Sequence, residues 1–79
     1  MAIEYFKNYR LELIPFELSG TDQWAPYLAI YKFDDALQDF RCVFEKQRVS
    51  GDAVFAREAD AVDESRRVGN ALIETGSVR

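Results

Sequence analysis

The sequence predicts an α+β domain, a three-stranded antiparallel meander followed by one C-terminal helix packed on one face of the sheet (β-β-β-α). Three features predict it. Apolar residues alternate with charged ones early in the chain, which is the period of half-buried strands. Short turn segments containing Gly, Ser and Asp separate the apolar runs. From Glu58 onward the apolar period lengthens to that of a helix.

The first predicted strand runs from Tyr9 to Phe16, where Tyr9, Leu11 and Leu13 alternate with Arg10 and Glu12. Pro15 cannot donate to a ladder and marks an edge or the strand's end. Ser19-Gly20-Thr21-Asp22 is a turn. The second strand starts after Pro26 and reaches about Phe33. Asp34 to Asp39 forms the next connection, and Phe40 to Val49 is the third strand. Ser50-Gly51-Asp52 is a sharp turn, and Val54-Phe55 leads into the helix, Glu58 to Thr75. Ala61, Ser65, Val68 and Leu72 recur on one helix face, flanked by Val62, Gly69 and Ile73. Glu58, Asp60, Asp63 and Glu64 crowd its start, which suits the helix dipole, although Arg57 is a poor N-cap. Gly76 is a natural C-terminal stop, and Ser77 to Arg79 reads as a frayed tail. Gly69 costs about 1 kcal/mol against Ala inside a helix, so its presence indicates close approach to the sheet.

A symmetric first hairpin sets Pro15 across from Pro26, Leu13 from Leu28 and Leu11 from Ile30. That aliphatic side is assigned to the helix. A symmetric second hairpin adds Val43 opposite Ile30. The other side then collects Ile14, Phe16, Tyr27, Ala29, Tyr31, Phe33, Phe40, Cys42 and Phe44. A one-residue bulge would carry Cys42 and Phe44 to the aliphatic side. In either register the central strand is apolar on both faces, as a strand covered on both sides should be. One helix can cover only one. Either Glu4 to Asn8 or the tail folds over the second face, or another chain does.

Composition narrows the chemistry. Seventy-nine residues make a single small domain, 1–79, whose core is limited, so packing or oligomerisation must help to stabilise it. With 48% hydrophobic residues the chain is not disordered. Cys42 is the only cysteine and there is no histidine, which leaves neither a disulfide nor a thiolate–imidazole metal set. Without histidine the serines lack their usual base, and Cys42, in mid-strand, is expected to be a buried structural thiol. Asp34, Asp35 and Asp39 could suit a hard cation, but they sit in a hairpin loop without the glycine and distal glutamate of a calcium loop. No glycine-rich phosphate loop occurs. No catalytic residues, cofactor or metal are assigned, and the chain is expected not to be an enzyme. The absence of an apolar run at Met1-Ala2-Ile3-Glu4, with an unpaired cysteine, points to the cytoplasm and away from the membrane.

A net charge of −4 works against binding a polyanion. The expected function is therefore a non-catalytic module that forms a homodimer or binds a protein partner, with Phe16, Tyr27, Tyr31 and Phe33 as the contact residues. The alternative is a single-stranded RNA or other nucleic-acid binder using the same aromatics, with Arg10, Lys32 and Arg41 reaching phosphates.

Tyr5-Phe6-Lys7-Asn8-Tyr9, Trp24-Ala25-Pro26-Tyr27, and Val54-Phe55-Ala56 followed by Glu58, Ala61, Arg66-Arg67 and Leu72-Ile73 form a layout that resembles a group of small, uncharacterised proteobacterial β-β-β-α proteins. That resemblance covers most of the chain and implies no activity. The strand order and acidic helix also look like HicB-type antitoxin domains, which have a partial double-stranded-RNA-binding-like fold. Phe33-Asp34-Asp35-Ala36-Leu37 stands where those domains carry a Pro-Asp-Leu-Pro-Gly-like turn, so this second likeness is one of topology and implies no antitoxin function.

Overall fold

The computed structural model describes residues 1–78. Four strands, not three, precede the helix: β1 Ala2–Phe6, β2 Tyr9–Leu18, β3 Gln23–Asp34, β4 Asp39–Arg48 and α1 Glu58–Glu74. They form one antiparallel meander in the order β1-β2-β3-β4. The added strand is β1, which pairs from Ala2 opposite Leu13 to Phe6 opposite Tyr9. Its turn has only Lys7 and Asn8, and Lys7 takes a positive φ of 57° that usually selects glycine. The segment before Tyr9 thus extends the sheet sideways and does not fold over its second face.

The β2–β3 register agrees with the symmetric hairpin: Leu11 faces Ile30, Leu13 faces Leu28 and Pro15 faces Pro26. Both strands run past their prolines. Val49 N donates to Pro26 O at 3.0 Å, so Pro26 turns its backbone toward the β4 side. Pro15, its cross-strand partner, turns the opposite way, where β1 has already ended opposite Leu13. Neither absent N–H removes a bond between β2 and β3.

The second hairpin departs from symmetry. Tyr31 pairs with Cys42 but Ile30 pairs with Phe44, which leaves Val43 extra; a second extra residue lies between Phe44 and Gln47, the partner of Leu28. The bulge moves Phe44 to the helix side, where it and Val43 pack on the core, while Cys42 stays on the other side. Cys42 is exposed and not buried, because it lies on an outer strand and on the face that the helix does not cover.

The core lies between helix and sheet. Tyr9, Leu11, Leu13, Leu28 and Ile30 face Ala61, Ser65, Gly69 and Ile73. Each fully buried leucine or isoleucine contributes roughly 1.5–3 kcal/mol. The buried stripe of α1 centres on Ser65, Gly69 and Ile73, with Val68 and Leu72 half-buried at its flank. Gly69 is the contact point: a Cβ there would run into Leu11 Cδ2 and stand 3.3 Å from Leu28 Cδ1. Ser65 Oγ is fully buried and donates to Tyr27 O at 2.9 Å.

The helix ends in a complete Schellman arrangement: Gly76 (φ 72°) donates to Ile73 O and Ser77 N to Leu72 O. This turns the tail inward. Val78 is buried in the core and its carbonyl accepts from Tyr9 Oη at 3.3 Å, so the segment before Arg79 is packed and not frayed. After β4 the chain returns along the open side of β3, where Trp24 and Phe55 exchange backbone hydrogen bonds of 2.8 and 2.9 Å.

Ion pairs and hydrogen bonds fasten the middle of the helix to β1 and to the turn after β4. Arg66 makes a two-pronged contact with Glu4 on β1 (2.8 and 2.6 Å) and a third bond to Asp63. These carboxylates raise the guanidinium's pKa, and Arg66 lowers that of Glu4. Glu64 accepts from Arg67 and from Ser50 Oγ, which hold its pKa down to about 2.

Two outcomes are expected. Gly69→Ala gains helix propensity but overpacks Leu11, for a net loss of about 1 kcal/mol, and Gly69→Leu loses about 3 kcal/mol or more, measured by urea unfolding. A Gly69→Ala chain more stable than wild type would contradict the close approach. Because the folded pKa of Glu64 is depressed, its contribution is complete above its ordinary value of 4.5 and fades as pH falls toward 2. Glu64→Gln should therefore cost about 1 kcal/mol near pH 7, with the gap to wild type closing between pH 5 and 2; a gap independent of pH would refute the assignment.

Candidate protein-contact face

Period two places Tyr27, Tyr31 and Phe33 of β3 on the side away from α1, and Phe16 of β2 joins them opposite Ala25. All four contact residues expected from the sequence therefore share one face. Phe16 and Tyr27 rings lie 5.3 Å apart, and Phe33 meets Phe40 edge-on at 5.4 Å. Phe16 is 51% exposed, while Tyr27, Tyr31 and Phe33 are half-buried by their neighbours on the same sheet.

The fourth strand enlarges this face with two residues that sequence reasoning missed. Ile3 lies beside Glu12 and Tyr5 beside Arg10, and they are 47% and 67% exposed. The signal was present as the alternation of Ala2, Glu4 and Phe6 with Ile3 and Tyr5, in a run too short to stand out.

In the middle of the face, Arg10 packs its guanidinium over Tyr31 (4.7 Å to the ring centre) and Phe40 (5.1 Å). Its nearest anionic neighbour is Glu12, at 3.5 Å. Arg10 Nε and Arg48 Nε are buried with no hydrogen-bond partner among the described residues. Arg48 lies opposite Tyr27 and so belongs to the same face. Each of these Nε atoms loses its hydration without a hydrogen bond in return, although the rest of the Arg10 side chain is partly exposed and Arg48 Nη2 donates to Ala53 O at 3.5 Å.

The basic set of the nucleic-acid reading is divided. Lys32 stands over the Tyr9 ring at 5.6 Å, on the helix side, and Arg41 pairs with Lys32 and reaches Asp34 at 3.4 Å. Only Arg10 shares the aromatic face. The aspartates of the loop act locally: Asp34 Oδ1 accepts from Ala36 N and Leu37 N, and Asp39 Oδ1 from Phe40 N. Among the described residues there is no pocket, no grouping of three His, Cys, Asp or Glu side chains able to hold a metal, and no helix long and apolar enough to cross a membrane.

No family model, curated protein or solved structure matches the chain.

The arrangement makes Arg10 a bracket for the aromatics around it. Arg10→Ala should cost about 1–2 kcal/mol in urea unfolding, through lost stacking and lost cover for Tyr31 and Phe40, and Arg10→Lys should cost less. Equal stability of Arg10→Ala and wild type would show that the stack contributes nothing.

Proposed function

We propose that this chain is a non-catalytic protein-contact module whose working surface is the sheet face opposite α1. One observation carries the reading: no element of the described chain covers that face, although Ile3, Tyr5 and Phe16 stand about half or more exposed beside a set of aromatic side chains. An uncovered apolar patch of this kind is the usual mark of an interface, and aromatic and arginine side chains are the residues that dominate interface energetics. The chain's acidity and the placement of Lys32 and Arg41 on the other face favour a protein partner over a nucleic acid.

The test is residue-level mapping in solution. Compared with a dilute sample, an isotopically labelled chain should lose NMR intensity at Tyr5, Arg10, Tyr27, Tyr31 and Phe33, on concentration if the partner is a second copy or in cell extract if it is another protein, and keep it at the outward helix positions Asp63, Arg67 and Ala71. The loss should disappear in Tyr31→Glu. Uniform broadening, or broadening centred on the outer helix, would sink the proposal. Salt-sensitive binding of single-stranded RNA, lost in Tyr31→Ala, would instead favour the nucleic-acid alternative.

A further inference from the structure

The open face has an internal pattern that bears on which partner it fits. The row Glu4, Leu11, Ile30 points its side chains to the helix side. On the open face this row is bracketed by two others. One is Ile3, Glu12, Ala29; the other is Tyr5, Arg10, Tyr31, Cys42. Strand by strand, the first row presents a branched aliphatic, a carboxylate and a methyl group. The second presents a ring, a guanidinium and a ring. Between the two rows, Glu12 and Arg10 are complementary in charge and Ala29 and Tyr31 in size, while Ile3 and Tyr5 are both apolar.

From this pattern we infer that the occupant of the face is a second copy of this chain, related by a two-fold axis lying along the Glu4–Leu11–Ile30 row. The inference rests on the contact-face reading above and names its partner. Such an axis lays each row on the other row of the second copy. Glu12 meets Arg10 of the second copy, whose guanidinium has only one long carboxylate contact within its own chain. Tyr31 meets the small Ala29, and Tyr5 meets Ile3. One step further out, Tyr27, in register with Ile14, meets Phe33, which follows Asn8 and Tyr9 in the same ladder. An axis running along β2 would instead set Arg10 against Arg10 and Glu12 against Glu12, placing like charges together, and one between β2 and β3 would leave both without a charged partner across the contact. Face-to-face sheets cross at about 30°, so the matching is closest in the two central rows and loosens outward. Phe16 lies at the far end of β2 and falls outside the centre of this footprint.

The dimensions agree. The molecule measures 45 × 21 × 16 Å, so a broad side is about 900 Å². A stable interface takes about 800 Å² from each partner. A two-fold, self-complementary contact is also the commonest way for a small chain to close an assembly.

The purified chain, followed by light scattering and sedimentation over a concentration series, provides the test. Wild type should be a dimer. Glu12→Arg should weaken it at least tenfold, as should Arg10→Glu, and the doubly exchanged chain should recover to within a few-fold of wild type. Since Arg10 also supports Tyr31, a second measurement avoids it. In a Cys42→Ser background, chains carrying Ile3→Cys and chains carrying Tyr5→Cys are mixed and treated with a short bis-maleimide, which can bridge the roughly 10 Å between packed sheets. Mixed products should predominate over either self-product. A wild-type monomer overturns the second copy, as does a dimer that Glu12→Arg leaves intact or predominant self-crosslinking of either cysteine chain. A purified monomer whose open face still loses NMR signal in extract leaves the contact-face reading intact and removes only this inference. A purified monomer with no such loss removes both.

Discussion

The structure depends on how closely one helix can lie on two strands. Gly69 has no side chain, so the α1 backbone settles against Leu11 and Leu28, at the centre of the core. A residue with a Cβ at that point would lift the helix and open the layer that excludes water from five large side chains. The glycine's weak helix propensity is the cost of that contact. Because the helix spans β2 and β3 but not the outer strands, the edges need separate fastening. Arg66 reaches down to Glu4 on β1, and the paired bulges of β4 curl Val43 and Phe44 back toward the core. Small domains have little buried surface to spare, and here that surface is concentrated in a few contacts.

The same geometry produces the open face. A four-stranded sheet with one helix has one covered side, and nothing else in the described chain reaches the other. The chain has not filled that side with the charged residues that a solvated sheet face normally carries. Arg10, Glu12 and Arg48 are there, but they lie among rings and are partly dehydrated by them. A face of this composition costs free energy while it stands in water. The observation that makes it intelligible is its pairing of bulk with smallness and positive with negative across neighbouring rows.

Much of this was legible in the sequence, and the exceptions have physical causes. The first hairpin could be read in register because two prolines can oppose each other only where neither absent N–H is needed, and Leu11 and Leu13 then find Ile30 and Leu28. The helix bounds followed from Gly76 and the onset of the longer apolar period. The strand β1 was obscured because Lys7-Asn8 lacks the glycine that normally announces a tight turn. The β4 bulges were undetermined because Cys42, Val43 and Phe44 are all apolar, so sliding the register by one residue leaves the pattern unchanged. Val78 looked like part of a polar tail, and only the Schellman turn shows why it is buried. Lys32, by contrast, alternates with Tyr31 and Phe33, so period two alone separates it from the aromatic face.

The order of elements along the chain has a consequence during synthesis. The four strands join neighbour to neighbour and can zip up as successive hairpins. The helix that seals their aliphatic side follows them in the chain, and contacts such as Arg66–Glu4 and Tyr9–Val78 join its end to its beginning. Until those residues leave the ribosome, a nascent sheet would show apolar side chains on both sides. The bulges of β4, and Pro15 where β2 runs on past β1, deny another chain a long, flat strand to extend. Features that look like local irregularities in the finished fold thus act as guards over the interval in which the core is still open.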